Sequence, residues 1–198
     1  MPDVGVVLGS IALILGLFQY FPYIWDVLKN KTKPHAFSWF AWSLPTVVVF
    51  FAQIADNGGP GVWATGLTAF LCTVIFVLSL FKGEKDIRLL DWFSFIFSIL
   101  GIALWFVTKN PLWAVGLTTA VDVVGFVPTV RKSILKPEEE TRSTYFLGGL
   151  KWVFSVAALS NLSLVTLVYP IAMIFANWGF VALLAWRRMR YTKQNSSL

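Results

Sequence analysis

Tyr20-Phe21-Pro22-Tyr23-Ile24 ends the first long apolar run of this chain, and Gly125-Phe126-Val127-Pro128-Thr129-Val130 ends another far downstream. Each proline leads into a basic loop with a Lys-Pro pair, Lys33-Pro34 and Lys136-Pro137. Each loop then leads to a hydroxyl residue with aromatics, Ser38-Trp39-Phe40 and Ser143-Thr144-Tyr145-Phe146. A third match follows both pairs: at an offset of 105 residues Phe70 meets Phe175, Cys72 meets Asn177, and Phe81-Lys82 meets Trp186-Arg187. A single proline near the end of an apolar helix is an ordinary kink or terminator, because neighbouring helices re-satisfy the freed backbone groups. Two prolines with the same sequel point to an internal repeat. One apolar run between the two sets has no match, so the pattern is three, one, three.

The spans follow from the charges. Between Asp3 and Asp26 lie 22 uncharged residues, enough at ~1.5 Å per residue to cross a hydrocarbon core of ~30 Å. Further uncharged runs cover 36–55, 57–81 and 92–108, the last extendable through Leu89 and Leu90. Residues 110–130 are interrupted only by Asp122, and a sixth run starting near Ser143 contains Lys151. From Trp152 to Trp186 no charge occurs for 35 residues, too long for one crossing, and Ser160-Asn161-Leu162-Ser163 supplies turn chemistry to divide it. The composition agrees: 57% hydrophobic and 13% charged, with a mean hydropathy of +0.72, against about a quarter charged in soluble domains. The expected fold is an all-α polytopic membrane protein of seven transmembrane helices. Residues 1–82 form the first three-helix bundle, 83–109 a linker with helix four, 110–188 a second, parallel bundle, and 189–198 a tail. Asp3 replaces a basic leader region and no A-x-A site follows, so the first run reads as a retained helix.

Cytoplasmic loops collect Lys and Arg. On this count one side gathers Lys29, Lys31, Lys33, Lys82, Lys85, Arg88, Arg131, Lys132, Lys136, Arg142, Arg187, Arg188, Arg190 and Lys193; the other holds only Lys109, and Lys151 lies within a span. The N-terminus is therefore expected outside and the C-terminus inside, in a plasma membrane. The net charge of +6 is thereby assigned to loops facing anionic lipid, with no nucleic-acid partner. The partners expected are membrane lipids and a small solute, and a homo-oligomer is allowed. Cys72 is the only cysteine and excludes a disulfide framework.

With these prolines and this helix pattern the chain resembles the PQ-loop and SWEET group of transporters, over about residues 5 to 188. The Pro-Gln dipeptide itself is replaced by Pro22-Tyr23 and Pro128-Thr129. The resemblance implies two three-helix bundles that rock around a central site. It also implies hinges at Pro22, Pro45 and Pro128, with Gly148-Gly149 in place of a proline on helix six. It further implies a pocket lined by Asn177 and, at the matching place, Cys72. Vitamin-precursor transporters and some intracellular retrieval receptors share this architecture, and fold alone does not choose among them.

Asp122 lies nine residues before Arg131 and Lys151 eight after Ser143, so both sit about 12–13 Å along their helices. Consecutive antiparallel helices would bring the two charges together, and an ion pair is expected, either as a structural bridge or as part of a path. A lone charge at that depth costs ~2.5–3.5 kcal/mol on insertion scales. If functional, Asp122 would carry a proton and Lys151 would be its counter-charge or an anchor for an anionic substrate. Trp152 and Trp178 could stack on a solute, whereas Trp25, Trp39, Trp63, Trp92, Trp105, Trp113 and Trp186 fall near span ends, where interfacial belts form. Gln19 and Gln53 could simply hydrogen-bond a neighbouring helix. His35 and Glu138-Glu139-Glu140 read as solvated loop residues, and neither a metal nor a cofactor is expected. Phosphate loops, H-E-x-x-H and G-x-S-x-G are missing from the sequence, so an enzyme ranks below a transporter of a sugar- or vitamin-like solute, and below a ligand-binding receptor of the same fold.

Overall fold

In a computed structural model of the chain, residues 3–30, 34, 36–83, 89–135 and 142–195 are described. They form seven helices: α1 Val4–Leu28, α2 Ala36–Ala55, α3 Trp63–Lys82, α4 Leu89–Thr108, α5 Pro111–Leu135, α6 Arg142–Ala157 and α7 Leu164–Asn195. A 3-10 turn over Gly59–Val62 leads into α3, and no strand occurs among the described residues. Among the described residues, three stretches are long and apolar enough to cross a membrane: Val4–Leu28, Gly59–Lys82 and Leu164–Met189. Trp42–Ala55 and Pro111–Val124 are shorter apolar stretches. α7 stays helical to Asn195, into the segment expected to be a tail.

Local chemistry sets the ends. Asp3 caps α1 by accepting from the Gly5 amide at 3.1 Å, which satisfies one of the orphan donors of a first turn. α2 stops at Asn57, which takes the left-handed conformation (φ 56°). The Asn57 amide donates to the Ile54 carbonyl and the Gly58 amide to that of Gln53, both at 3.0 Å, the paired bonds of a Schellman ending. Asn110 accepts from the Leu112 amide at 3.0 Å and starts α5, with Pro111 at its first position, where no amide hydrogen is needed. Ser163, within the turn chemistry read from the sequence, starts α7: its hydroxyl accepts from the Thr166 amide while Thr166 Oγ1 accepts from the Ser163 amide, a reciprocal cap.

The packing order is not the chain order. α1 and α2 both pack on α3, and α5 and α6 both pack on α7. Between these groups α1 meets α6 and α2 meets α5, while α4 lies against α5 and α2. A buried apolar core from six helices holds the groups together, with Ala12, Val49, Ala52, Ala64, Val115, Trp152, Tyr169 and Met173. Large apolar side chains cover much of the outside, among them Phe18, Phe21, Phe70, Phe81, Val107 and Phe175. Trp25, Trp63, Trp92, Trp113 and Trp186 are also exposed.

The two ends of the bundle are tied differently. At one end the α2–α3 connection is laced to the α6–α7 connection. Asn161 Nδ2 donates to the Asp56 carbonyl at 2.7 Å and to its carboxylate at 3.2 Å, and Ser163 Oγ donates to the same carboxylate. The Gly61 amide reaches the Ala158 carbonyl and the Ser160 amide that of Gly58, each at 3.0 Å. Gly59 has φ +65° and lies against Ser160, so only a residue without Cβ fits there. At the other end, Lys82 at the close of α3 donates to the Leu28 carbonyl of α1 at 2.9 Å. Arg187 on α7 donates to the Ile134 carbonyl of α5. Both are cations on the last, unsatisfied carbonyls of a helix, where the dipole favours positive charge.

Candidate functional site

Lys151, in the middle of α6, is 1% exposed. Its stem runs past Gly16 of α1, where an added Cβ would come within 3.3 Å of Lys151 Cδ. Its Nζ donates to Thr68 Oγ1 of α3 at 3.0 Å. That hydroxyl spends its own proton on the Ala64 carbonyl at 2.8 Å, which leaves its lone pairs for the ammonium. The charge also lies over two rings, 4.3 Å from the centroid of Trp152 and 5.3 Å from that of Tyr20, an arrangement that offsets part of its desolvation. The Tyr20 hydroxyl stands 3.9 Å from Cys72 Sγ. Tyr20, Thr68, Cys72 and Lys151 thus meet where α1, α3 and α6 converge.

Asp122 of α5 is 8% exposed. Tyr169 of α7 donates to its Oδ2 at 2.9 Å, and Oδ1 has no partner among the described residues. Thr46 of α2 lies beside the Tyr169 phenol. A second meeting point therefore forms from α5, α7 and α2. Tyr20 lies close enough to Asp122 and Tyr169 to interact electrostatically, and Trp152 stands edge-on to Tyr169 at 5.3 Å between centroids. The two polar groups are neighbours in one buried region.

The ion pair expected from sequence is not formed. Asp122 and Lys151 each hold a different hydroxyl, because α7 separates α5 from α6 and the short connection between those helices does not make them packing neighbours. Trp152 is brought into the cluster. Asn177 is buried against Gly148 of α6 and donates to the Met173 carbonyl at 2.8 Å. Trp178 is turned elsewhere: it is 37% exposed, stacks on Phe146 and donates to the Phe146 carbonyl at 3.3 Å.

Of the expected hinges, Pro22 lies exposed within α1 and Pro45 buried within α2, and both helices run through them. The side chain of Pro128 lies outside the described ones, as do those of Arg131 and Lys132; Lys31, Lys33, His35, Lys85, Arg88, Lys136 and Glu138–Glu140 lie outside the described residues altogether. Gly148 and Gly149 are notches for packing. A Cβ at Gly148 would stand 2.6 Å from Asn177 Oδ1 and 2.9 Å from Gln19 Nε2, and Gly149 receives the Trp178 indole.

Sequence reasoning passed over Tyr20, Thr68, Tyr169 and Pro170. Pro170 lies buried inside α7 and has no amide hydrogen for the Thr166 carbonyl one turn back. Gln53 of α2 supplies the missing donor, its Nε2 reaching that carbonyl at 3.0 Å. A proline four residues after a carbonyl in an apolar run, with one amide in another run, was the signal available.

Compared with family models, curated proteins and solved structures, the chain has no match.

Proposed function

We propose that the chain crosses the membrane seven times as two parallel three-helix units joined by a linker helix, and that it moves a small solute by alternating access at the Lys151–Asp122 region. The observation that carries this reading is a lysine and an aspartate buried without each other inside a bundle of apolar helices. Each is supported by helices from both halves of the chain, and ionisable groups at such depth mark solute or ion paths.

The duplication gains support from packing. If α1, α2 and α3 correspond to α5, α6 and α7, the neighbour pairs map onto one another: α1–α6 onto α5–α2, and α3–α6 onto α7–α2. Phe70 and Phe175 are both exposed, Cys72 and Asn177 both buried, and Lys82 and Arg187 cap equivalent helices. Parallel repeats of this kind enclose a path at their interface. With the basic loops inside, the laced Asp56 end faces outward on this reading, and its cross-links are the contacts that close that side.

The test is uptake into proteoliposomes across sugars, nucleosides, vitamins and amino acids, together with thermal stabilisation by each. Saturable uptake of one solute, reduced at least about tenfold in Lys151→Met and in Asp122→Asn, is the expected result. Stabilisation without uptake would replace the transporter with a receptor.

A further inference from the structure

Resting on the transport reading, the charges of the buried region also define what is carried. The helix junction of α1, α3 and α6 and that of α5, α7 and α2 are built alike, yet the first holds the basic side chain of Lys151 and the second the acidic side chain of Asp122. Lys151 Nζ has three donors and gives one, to Thr68; among the described residues no acid accepts from the others. Asp122 Oδ1 is buried and accepts from nothing among the described residues, although Oδ2 is held by Tyr169. Spare donors on Lys151 and a spare acceptor on Asp122 therefore remain in one buried region, carried by helices that are not packing neighbours.

We propose that the solute is a small zwitterion, bound with its carboxylate on Lys151 and its ammonium on Asp122. A solute with only a carboxylate would meet Lys151 but bring a like charge to Asp122, and one with only an ammonium would do the reverse. A neutral polyol would leave both buried charges without a counter-charge, a penalty that falls on binding. A zwitterion neutralises each charge locally and adds none to the membrane interior. Trp152 and Tyr20, already against the Lys151 ammonium, form the apolar wall on that side.

The experiment uses the full chain in proteoliposomes with glycine, β-alanine and γ-aminobutyrate, which space the same two charges differently, and with glucose as the neutral control. Acetate and methylamine serve as half-solutes in competition. One zwitterion is expected to be taken up saturably, with each half-solute competing about 100-fold more weakly, the scale of leaving a buried charge unpaired. In Lys151→Met, methylamine should compete as well as the zwitterion, and in Asp122→Asn acetate should do so. The half-solute comparison on the unaltered protein stands alone if either variant fails to fold. Uptake of glucose or of a singly charged solute, with the zwitterions inert, overturns this assignment and leaves transport standing. Thermal stabilisation by a zwitterion without uptake keeps the assignment and overturns transport. No binding and no uptake across the panel overturns both.

Discussion

The Asp56 end and the Arg187 end of the bundle use polar contacts for opposite purposes. At the Asp56 end, side chains and amides reach from the α2–α3 connection to the α6–α7 connection, so the bonds join one half of the chain to the other. At the Arg187 end, Lys82 and Arg187 each bond a helix of their own half. Bonds of the first kind resist separation of the halves; those of the second stiffen each half as a unit. A protein whose halves rock would need both, and the difference teaches that similar hydrogen bonds differ in consequence by what they connect.

The strongest way to break this comparison is to make the Asp56 end covalent. With Asp56→Cys and Asn161→Cys oxidised to a disulfide, uptake should fall by about an order of magnitude or more and return on reduction, since lid and gate opening limits turnover. The same pair of cysteines at Asn30 and Lys82, within one half, should leave uptake near its starting value. Next in size is Gln53→Leu, which leaves the Thr166 carbonyl buried and unpaired and should cost about 1–3 kcal/mol of stability in chemical denaturation. Pro170→Ala returns an amide hydrogen to that carbonyl, so Gln53→Leu should cost much less in its background; an undiminished cost would rule out the pairing. Asp56→Asn keeps the shape of the clasp but removes the charge behind its hydrogen bonds, worth about 1 kcal/mol, and should raise hydrogen exchange selectively at Gly61 and Ser160. The smallest effects belong to Lys82→Ala and Arg187→Ala, each about 0.3–1 kcal/mol in thermal melts, and additive because the caps share no partner.

Much of the helix plan was legible in the sequence because charge and turn chemistry fix where apolar runs stop. Ser160-Asn161-Leu162-Ser163 was read as the break in the longest uncharged run, and Ser163 is the residue that caps α7. The separation of Asp122 from Lys151 was not legible, since nothing local says that α7 inserts between α5 and α6; the expected ion pair assumed that neighbours in sequence are neighbours in space. Gln53 could have been assigned from Pro170, because a lost backbone donor calls for a substitute. Tyr20, Thr68 and Tyr169 were hidden by being ordinary: hydroxyls in apolar helices commonly bond their own backbone, as Thr73 does with Ala69 at 2.8 Å. The burial of Asn177 and the outward turn of Trp178, adjacent in sequence, follow from the angle of about 100° between successive helical residues, which only the position of α6 against α7 resolves.

α6 has a consequence for how the protein is made. It is 16 residues long, about 24 Å of helix, and it carries Lys151 at its middle. Such a segment is a poor independent client of the insertion machinery, which selects longer and more apolar helices. On the seven-span proposal, what makes α6 acceptable in the bilayer is supplied earlier in translation: the hydroxyl of Thr68 and the groove at Gly16 that receives the lysine stem. The first half of the chain thus serves as an assembly template for the second. Nascent chains truncated after residue 163 should integrate α6 only when α1 and α3 precede it, and Thr68→Val should lower that yield.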